Sequence, residues 1–169
     1  SSRGAPGMST KIEDLAEPLR TKAWAFIADL KANTSNFKCM GSDGFIVLET
    51  LRSQDTQIAY FSRLLASHVP AKYRRQAVKF VQALYKRAAL YEINERDAIK
   101  PVTWTMESRH LEGLALDIWP TKKGRIWWAP KTWEGWARMA EIAARHGIEA
   151  GYTWPGDEQD PAHFQEARE

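Results

Sequence analysis

SRHLEGLALD, Ser108 to Asp117, is the stretch that decides the fold, because it places a histidine seven residues before an aspartate with a glycine between them. Gly113 suits a sharp bend, and the apolar run that follows it predicts a strand. His110 and Asp117 therefore cannot share a helix face and meet only if the chain bends back between them. Ala115 lies two residues before Asp117 on the same strand face and leaves room there. At this spacing the two residues are either ordinary surface residues or two ligands of one metal ion.

Outward from this stretch, the hydrophobic pattern alternates between helical and extended segments. Apolar residues at helical spacing predict helices from Pro18 to about Asn33, Asp55 to about Ser67, Tyr73 to Tyr91, and about Thr132 to His146. Runs of apolar and β-branched residues predict strands at FIVLETLRS, which Arg52 closes, at VTWTM, at LALDIWP and at RIWW. We expect an α+β fold in which helices flank a small, mostly antiparallel sheet.

Composition places the chain among ordinary globular proteins. Hydrophobic residues make up 44% and charged residues 27%, and no apolar run approaches the ~20 residues that cross a bilayer. The net charge of +3, from 24 basic and 21 acidic residues, is too small to require a nucleic acid partner. Cys39 is the only cysteine, which excludes an internal disulfide and a thiolate metal cluster.

The length favours a single domain. Residues 1–7, SSRGAPG, are typical of a cloning remnant before a native Met8, so we expect one domain over residues 8–169. Seven of the eight tryptophans lie at or after Trp104, which predicts that the second half carries the main core.

A catalytic zinc site needs a third protein ligand and keeps its fourth position for water. Among the remaining histidines, His146 lies in the last turn of a predicted helix, where the helix dipole favours a cation, and His68 has no partner pattern. His163 lies in EQDPAHFQ, which we expect to form a polar loop, three residues after Asp160. Asp160 could take a proton from a zinc-activated water and return it to a leaving amine. Spacing alone leaves the functional and structural interpretations evenly balanced.

Three motifs together resemble a known family. SRHLEGLALD matches the signature SxHxxGxAxD, DPAHF resembles D-x-x-H, and LRSQDTQ resembles an R-S-x-x-x-Q element that ends a strand. These elements are found in the VanY-like LAS metallopeptidases, which include zinc D-Ala-D-Ala carboxypeptidases and the L-alanyl-D-glutamate endopeptidases of phage endolysins. The similarity runs from about Pro18 to Gln165. It implies the fold shared by hedgehog proteins and D,D-peptidases, with the zinc site carried by the sheet.

The resemblance also implies roles for individual residues. His110, Asp117 and His163 would bind Zn²⁺, and Asp160 would be the catalytic base.

Further side chains would act on the substrate. The resemblance implies that Arg52 holds a substrate carbonyl or carboxylate, where its guanidinium could stabilise an oxyanion. We also expect Ser108 to orient a ligand or the substrate, Gln57 to contact substrate, and Trp154 to form a wall of the cleft.

The expected function is a peptidoglycan-degrading zinc metallopeptidase, a phage endolysin that hydrolyses a stem-peptide amide, with L-Ala-D-Glu as the preferred bond. One alternative is a D-Ala-D-Ala carboxypeptidase with the same metal site. The other is a catalytically silent wall-binding module in which the metal only stabilises the fold, although such a module has no need of Asp160. We expect a monomer that neither binds nucleic acid nor inserts stably in a membrane. It would wait in the host cytoplasm and act on the cell wall, in the periplasm, after the membrane is permeabilised.

Basic side chains decorate the helix predicted over Tyr73 to Tyr91. A charged helix face is most often simply solvated. A lid and a surface that binds the wall or lipid are the alternatives, and the sequence leaves all three open.

Overall fold

The computed structural model describes residues 8–168 and has the expected α+β class. The helices are α1 (Leu19–Ala32), α2 (Thr34–Lys38), α3 (Gln54–Ser67), α4 (Arg74–Arg87), α5 (Glu95–Ala98) and α6 (Gly135–Ala144). The strands are β1 (Met8–Ser9), β2 (Gly44–Glu49), β3 (Leu51–Arg52), β4 (Ala115–Lys122), β5 (Arg125–Ile126), β6 (Ile148–Gly151) and β7 (Asp160–Glu166). Among the described residues, no helix is long and apolar enough to cross a membrane.

The described residues divide into two compact units. The first contains residues 8–9 and 52–111, and the second contains residues 10–51 and 112–168. The expected single domain over residues 8–169 stays a prediction, and residues 1–7 lie outside the part of the chain that the structure describes.

The second unit is built around a sheet of five strands. The strand order is β2-β4-β7-β6, β5 pairs with β4, and every pairing is antiparallel. One face of β4 and β7 is apolar: Leu116, Ile118, Ala162 and Phe164 are all buried. The opposite face carries Asp117 and His163, because successive strand side chains point to opposite sides.

Helices α1 and α6 supply the other half of that core. The buried residues of α1 recur at helical spacing: Leu19, Ala23, Phe26 and Leu30. Phe26 packs on Phe164 of β7 with ring centroids 5.0 Å apart. On α6 the buried residues include Trp136, Met139 and Ile142. The expectation that the second half carries the main core holds only in part: Trp133 and Trp136 are buried in this cluster, but α1 and Phe37 of the first half contribute to it as well.

The first unit has its own smaller core between α3, α4 and α5. Its buried residues are Ala59, Ala66, Val78, Val81, Tyr85, Ala88, Ile93 and Ala98. Arg63 is buried among them, and its guanidinium donates to the hydroxyl of Tyr85 at 3.0 Å and to the carbonyl oxygens of Asp97 and Lys100 at 2.9 Å. A buried charge is tolerated here because these acceptors satisfy it.

Most predicted elements are found, with different bounds. The helices expected over Pro18–Asn33 and Asp55–Ser67 are α1 and α3, whereas the helix expected to reach Tyr91 ends at Arg87. The expected strand ending at Arg52 is broken in two, since Thr50 separates β2 from β3. The helix expected from Thr132 begins only at Gly135.

Two local predictions are wrong. The segment VTWTM forms no strand, and Trp104 within it is 76% exposed, because β-propensity needs a partner strand and an apolar surface to cover. DPAHF was expected in a polar loop, but it lies in β7, where pairing with β4 and β6 satisfies its backbone.

Candidate metal centre

Asp117 and His163 face each other across two central strands. Antiparallel pairing of β4 with β7 places Asp117 directly opposite His163, and Ala115 opposite Gln165. Directly opposed side chains in such a pair lie close together on one face. His163 Nδ1 lies 3.7 Å from Asp117 Oδ1. Sheet register alone therefore brings together two residues that are 46 positions apart.

Gln165 fixes the orientation of the His163 ring. The two residues are two apart on β7 and so share a face, and the Nε2–H group of His163 donates to Oε1 of Gln165 at 2.9 Å. Gln165 is itself buried. A proton on Nε2 leaves Nδ1 as the ring atom with a lone pair, and Nδ1 is the atom that faces Asp117. Metal-binding histidines characteristically donate their second ring N–H in this way.

His110 lies in a 3-10 turn, Arg109–Glu112, that leads into β4. It is 3% exposed, and its backbone N–H donates to Oγ of Ser108 at 3.2 Å. Gly113 follows with φ of +70°, and a Cβ there would come within 3.0 Å of the backbone of Asp14 and Ala16. The predicted bend at Gly113 is thus confirmed, and both its φ and the close approach call for glycine.

The three predicted ligands come together. Ligand atoms of His110, Asp117 and His163 all lie within 4.8 Å of one another. Two imidazoles and one carboxylate form the donor set of many catalytic zinc sites, which hold the ion at ~2.0–2.2 Å and keep one position open. Small side-chain rotations would bring the three atoms onto one ion, so this cluster could hold a metal and its chemistry fits Zn²⁺.

The prediction from sequence missed two residues of this centre. One is Gln165; its signal is the H-x-Q spacing, which puts the amide on the same strand face as the histidine. The other is Glu49, a buried carboxylate that ends β2 opposite Asp117, where the register of β2 against β4 shifts. An acidic residue at the end of an otherwise apolar strand was the available signal.

Asp160 begins β7 and is exposed. Its partner across the sheet is Gly151 of β6, at an irregularity in the register. A Cβ at position 151 would overlap the carbonyl oxygen of Asp160, so only glycine allows the two backbones to approach this closely. Gly151 therefore fixes the backbone from which the Asp160 carboxylate projects.

Arg52 is held from two sides within the first unit. Its Nη1 donates to Oε1 of Gln57 at 2.7 Å, and its guanidinium carbon lies 4.8 Å from the centre of the Tyr60 ring. Gln57 is fully buried and donates through Nε2 to the carbonyl oxygen of Thr105 at 2.7 Å. These contacts order the guanidinium before any ligand arrives.

Trp154 and His146 have different surroundings. The indole of Trp154 lies 5.1 Å from the ring of His163, centroid to centroid, and its Nε1 donates to Oε2 of Glu149 at 2.8 Å. His146 Nε2 lies 2.8 Å from Oδ2 of Asp29, and this contact lowers the pKa of Asp29 below its ordinary value. His146 is thus engaged in a contact that ties α1 to the segment directly after α6.

Comparison with known proteins supports the motif match. Residues 102–166 match a family described as D-alanyl-D-alanine carboxypeptidase, and this segment contains the three candidate ligands and Asp160. The match confirms the resemblance drawn from the motifs. The solved structure of the Serratia marcescens L-Ala D-Glu endopeptidase ChiX is similar over 92% of this chain and 83% of that chain, with 20% identity and a TM-score of 0.47. No curated protein matches the chain.

Proposed function

We propose that this protein is a zinc peptidase that acts on peptidoglycan stem peptides. The premise is that residues 102–166, which match the D-alanyl-D-alanine carboxypeptidase family, form its peptidase segment. The observation that carries the proposal is the convergence of His110, Asp117 and His163 within that segment. Two histidines and a carboxylate are the zinc ligands of many hydrolases, and the match to a peptidase family indicates that the bond cut is a peptide bond.

The ligands and their supports would act together. Zinc held by His110, Asp117 and His163 would polarise the scissile carbonyl and lower the pKa of water to ~7. Gln165 would keep His163 Nδ1 directed at the ion through the bond at Nε2. Ser108, whose hydroxyl accepts from the backbone of His110, would hold the turn that carries this ligand.

Asp160 would be the general base. Its carboxylate would accept a proton from the attacking water and pass it to the nitrogen of the departing amine as the C–N bond breaks. Its exposed position at the start of β7 allows proton exchange, and Gly151 fixes the backbone beneath it.

Arg52 would bind the substrate carbonyl or a carboxylate and stabilise negative charge on oxygen in the transition state. Preorganisation supports this role, because Gln57 and Tyr60 already hold the guanidinium. The buried Gln57 would serve the substrate through Arg52 rather than by direct contact. Trp154, beside the His163 ring, would form an apolar wall of the cleft.

The preferred bond is L-Ala-D-Glu, and the preferred context is a bacteriophage endolysin that reaches the wall after the membrane is permeabilised. The description of the matched family favours a second candidate, removal of a terminal D-Ala. Both reactions would use the same metal centre, and they differ in whether the substrate ends at the residue after the cut.

The test is mass spectrometry of purified peptidoglycan after incubation with the protein, with and without a chelator. Peptides that begin with D-Glu, lost on chelation and restored by Zn²⁺, would support the endopeptidase. Loss of one terminal D-Ala would establish the carboxypeptidase instead. If the zinc-loaded protein leaves peptidoglycan intact, both peptidase assignments are wrong.

A further inference from the structure

The first unit contains a long stretch without a single acidic residue. Residues 56–91 include seven of the 24 basic residues and none of the 21 acidic ones. Lys72, Arg74, Arg75, Lys79 and Lys86 are all exposed there. A net charge of only +3 therefore conceals a strongly positive region on a chain that is otherwise slightly acidic.

The same region exposes large apolar side chains. Leu65 is 53% exposed, Tyr73 48% and Phe80 56%. Together with Ala66, Val69, Gln76 and Ala77, they line an open groove of about 380 Å³ between the end of α3 and the start of α4. Exposed apolar side chains that cluster in this way mark a contact surface, whereas isolated ones are normal.

Helical spacing puts the basic side chains on one flank of the outward face of α4 and the groove on the other. Val78, Val81 and Tyr85 form the buried face of α4. Arg75, Lys79 and Lys86, spaced by four and seven residues, form one stripe, and Tyr73, Ala77 and Phe80, spaced by four and three, form another. Both stripes flank the outward face of the helix. We call this surface, comprising Leu65, Lys72, Tyr73, Arg75, Lys79 and Phe80, the α4 face.

We propose that the α4 face docks the protein on an anionic phospholipid bilayer. Interfacial helices combine a basic stripe with aromatic and aliphatic side chains that enter the boundary between headgroups and acyl chains, and the α4 face has both parts. Basic residues near such a surface are attracted to its negative potential. A second copy of the chain is a poor occupant, because two α4 faces would bring like charges together.

This docking would be peripheral and would use none of the candidate ligands; it rests on the proposed function and extends it by placing the enzyme at the membrane. It requires no membrane-spanning helix. It also explains why Phe80 of α4, and Tyr73 directly before the helix, remain exposed although the buried face of α4 is already complete.

The experiment is co-sedimentation of the whole protein with vesicles of phosphatidylcholine alone and of phosphatidylcholine with phosphatidylglycerol. We expect binding only with the anionic lipid, weakening as salt is raised. Arg75→Gln with Lys79→Gln should reduce partitioning roughly 25-fold, because each basic residue contributes about a fivefold gain. Phe80→Ser should reduce binding to the same vesicles without changing its salt dependence.

The matched control is Lys38→Gln with Arg125→Gln, which removes two exposed charges from the second unit. Equal loss in the control and in the α4 variant would overturn the proposal, since the effect would then come from net charge. Absence of binding to anionic vesicles would also overturn it. Loss of binding to purified sacculi, with vesicle binding unchanged in the α4 variant, would assign the face to the wall instead.

Discussion

At the scale of single residues, the candidate centre depends on which nitrogen of His163 carries the proton. Gln165 decides this, because its Oε1 can only accept and so fixes the proton on Nε2. Replacing Gln165 with Ala should weaken zinc binding by about 10- to 100-fold, as loss of such outer partners typically does. Competition with a chromophoric chelator would measure the change. Gln82→Ala is the control, since Gln82 bonds the carbonyl of Ile93 in the first unit; equal weakening in both would contradict the role of Gln165.

Asp160 provides a second test at this scale. Asp160→Asn should lower kcat by about 10²- to 10⁴-fold, the range for loss of a general base, while zinc stays bound. Turnover of muropeptides and metal content of the same sample would be measured together. His146→Ala should remain active, because His146 bonds Asp29 away from the ligand set. Loss of zinc from Asp160→Asn would make Asp160 a ligand, and an inactive His146→Ala would mean that the third histidine was chosen wrongly.

At the scale of elements, the close pairing of β6 with β7 requires a glycine at position 151. Gly151→Ala would force the strands apart at Asp160, and we expect a loss of about 1–3 kcal/mol in the free energy of unfolding together with lower kcat. Urea denaturation and turnover would measure the two effects. Gly124→Ala is the comparison, because a Cβ there meets nothing within 4 Å and only its positive φ is strained. An unchanged kcat in Gly151→Ala would show that the function of Asp160 does not depend on the close pairing of β6 with β7.

The elements also show how far the sequence could predict the structure. Helical periodicity located α1 and α3 closely, and the motifs pointed to three candidate ligands whose ligand atoms the structure brings within 4.8 Å of one another. Such patterns are local or carried by complete motifs. Gln165 and Glu49 were missed because their importance depends on strand register, which places each beside a residue distant in sequence. The prediction of a strand at VTWTM was wrong because a strand forms only where a partner strand pairs with it, and the sequence of the segment alone does not show whether one does.

At the scale of the whole molecule, the Asp29 to His146 contact links acidity to stability. The hydrogen bond with His146 lowers the pKa of Asp29 from its ordinary value of 3.8 in the folded protein. Because the carboxylate has a lower pKa in the folded protein, it stabilises the fold at pH values above 3.8. This contribution is lost as the pH falls from 3.8 towards the lower pKa of the folded state. Tm measured from pH 7 to pH 2.5 should therefore fall more steeply for the wild type than for Asp29→Asn. Parallel curves would show that the contact has no effect on folding.

The position of β4 inside its sheet has one more consequence. β4 is paired with β2 on one side and with β7 on the other, so the strand that carries Asp117 has no free edge where it meets His163. Backbone amides in such a strand exchange with solvent deuterium only through the opening events of highest free energy. The strands that carry these two candidate ligands should therefore keep their register if a metal ion is removed and added again. Asp117 and His163 would then be preorganised for metal binding, with the same backbone positions in the metal-free and the metal-bound protein.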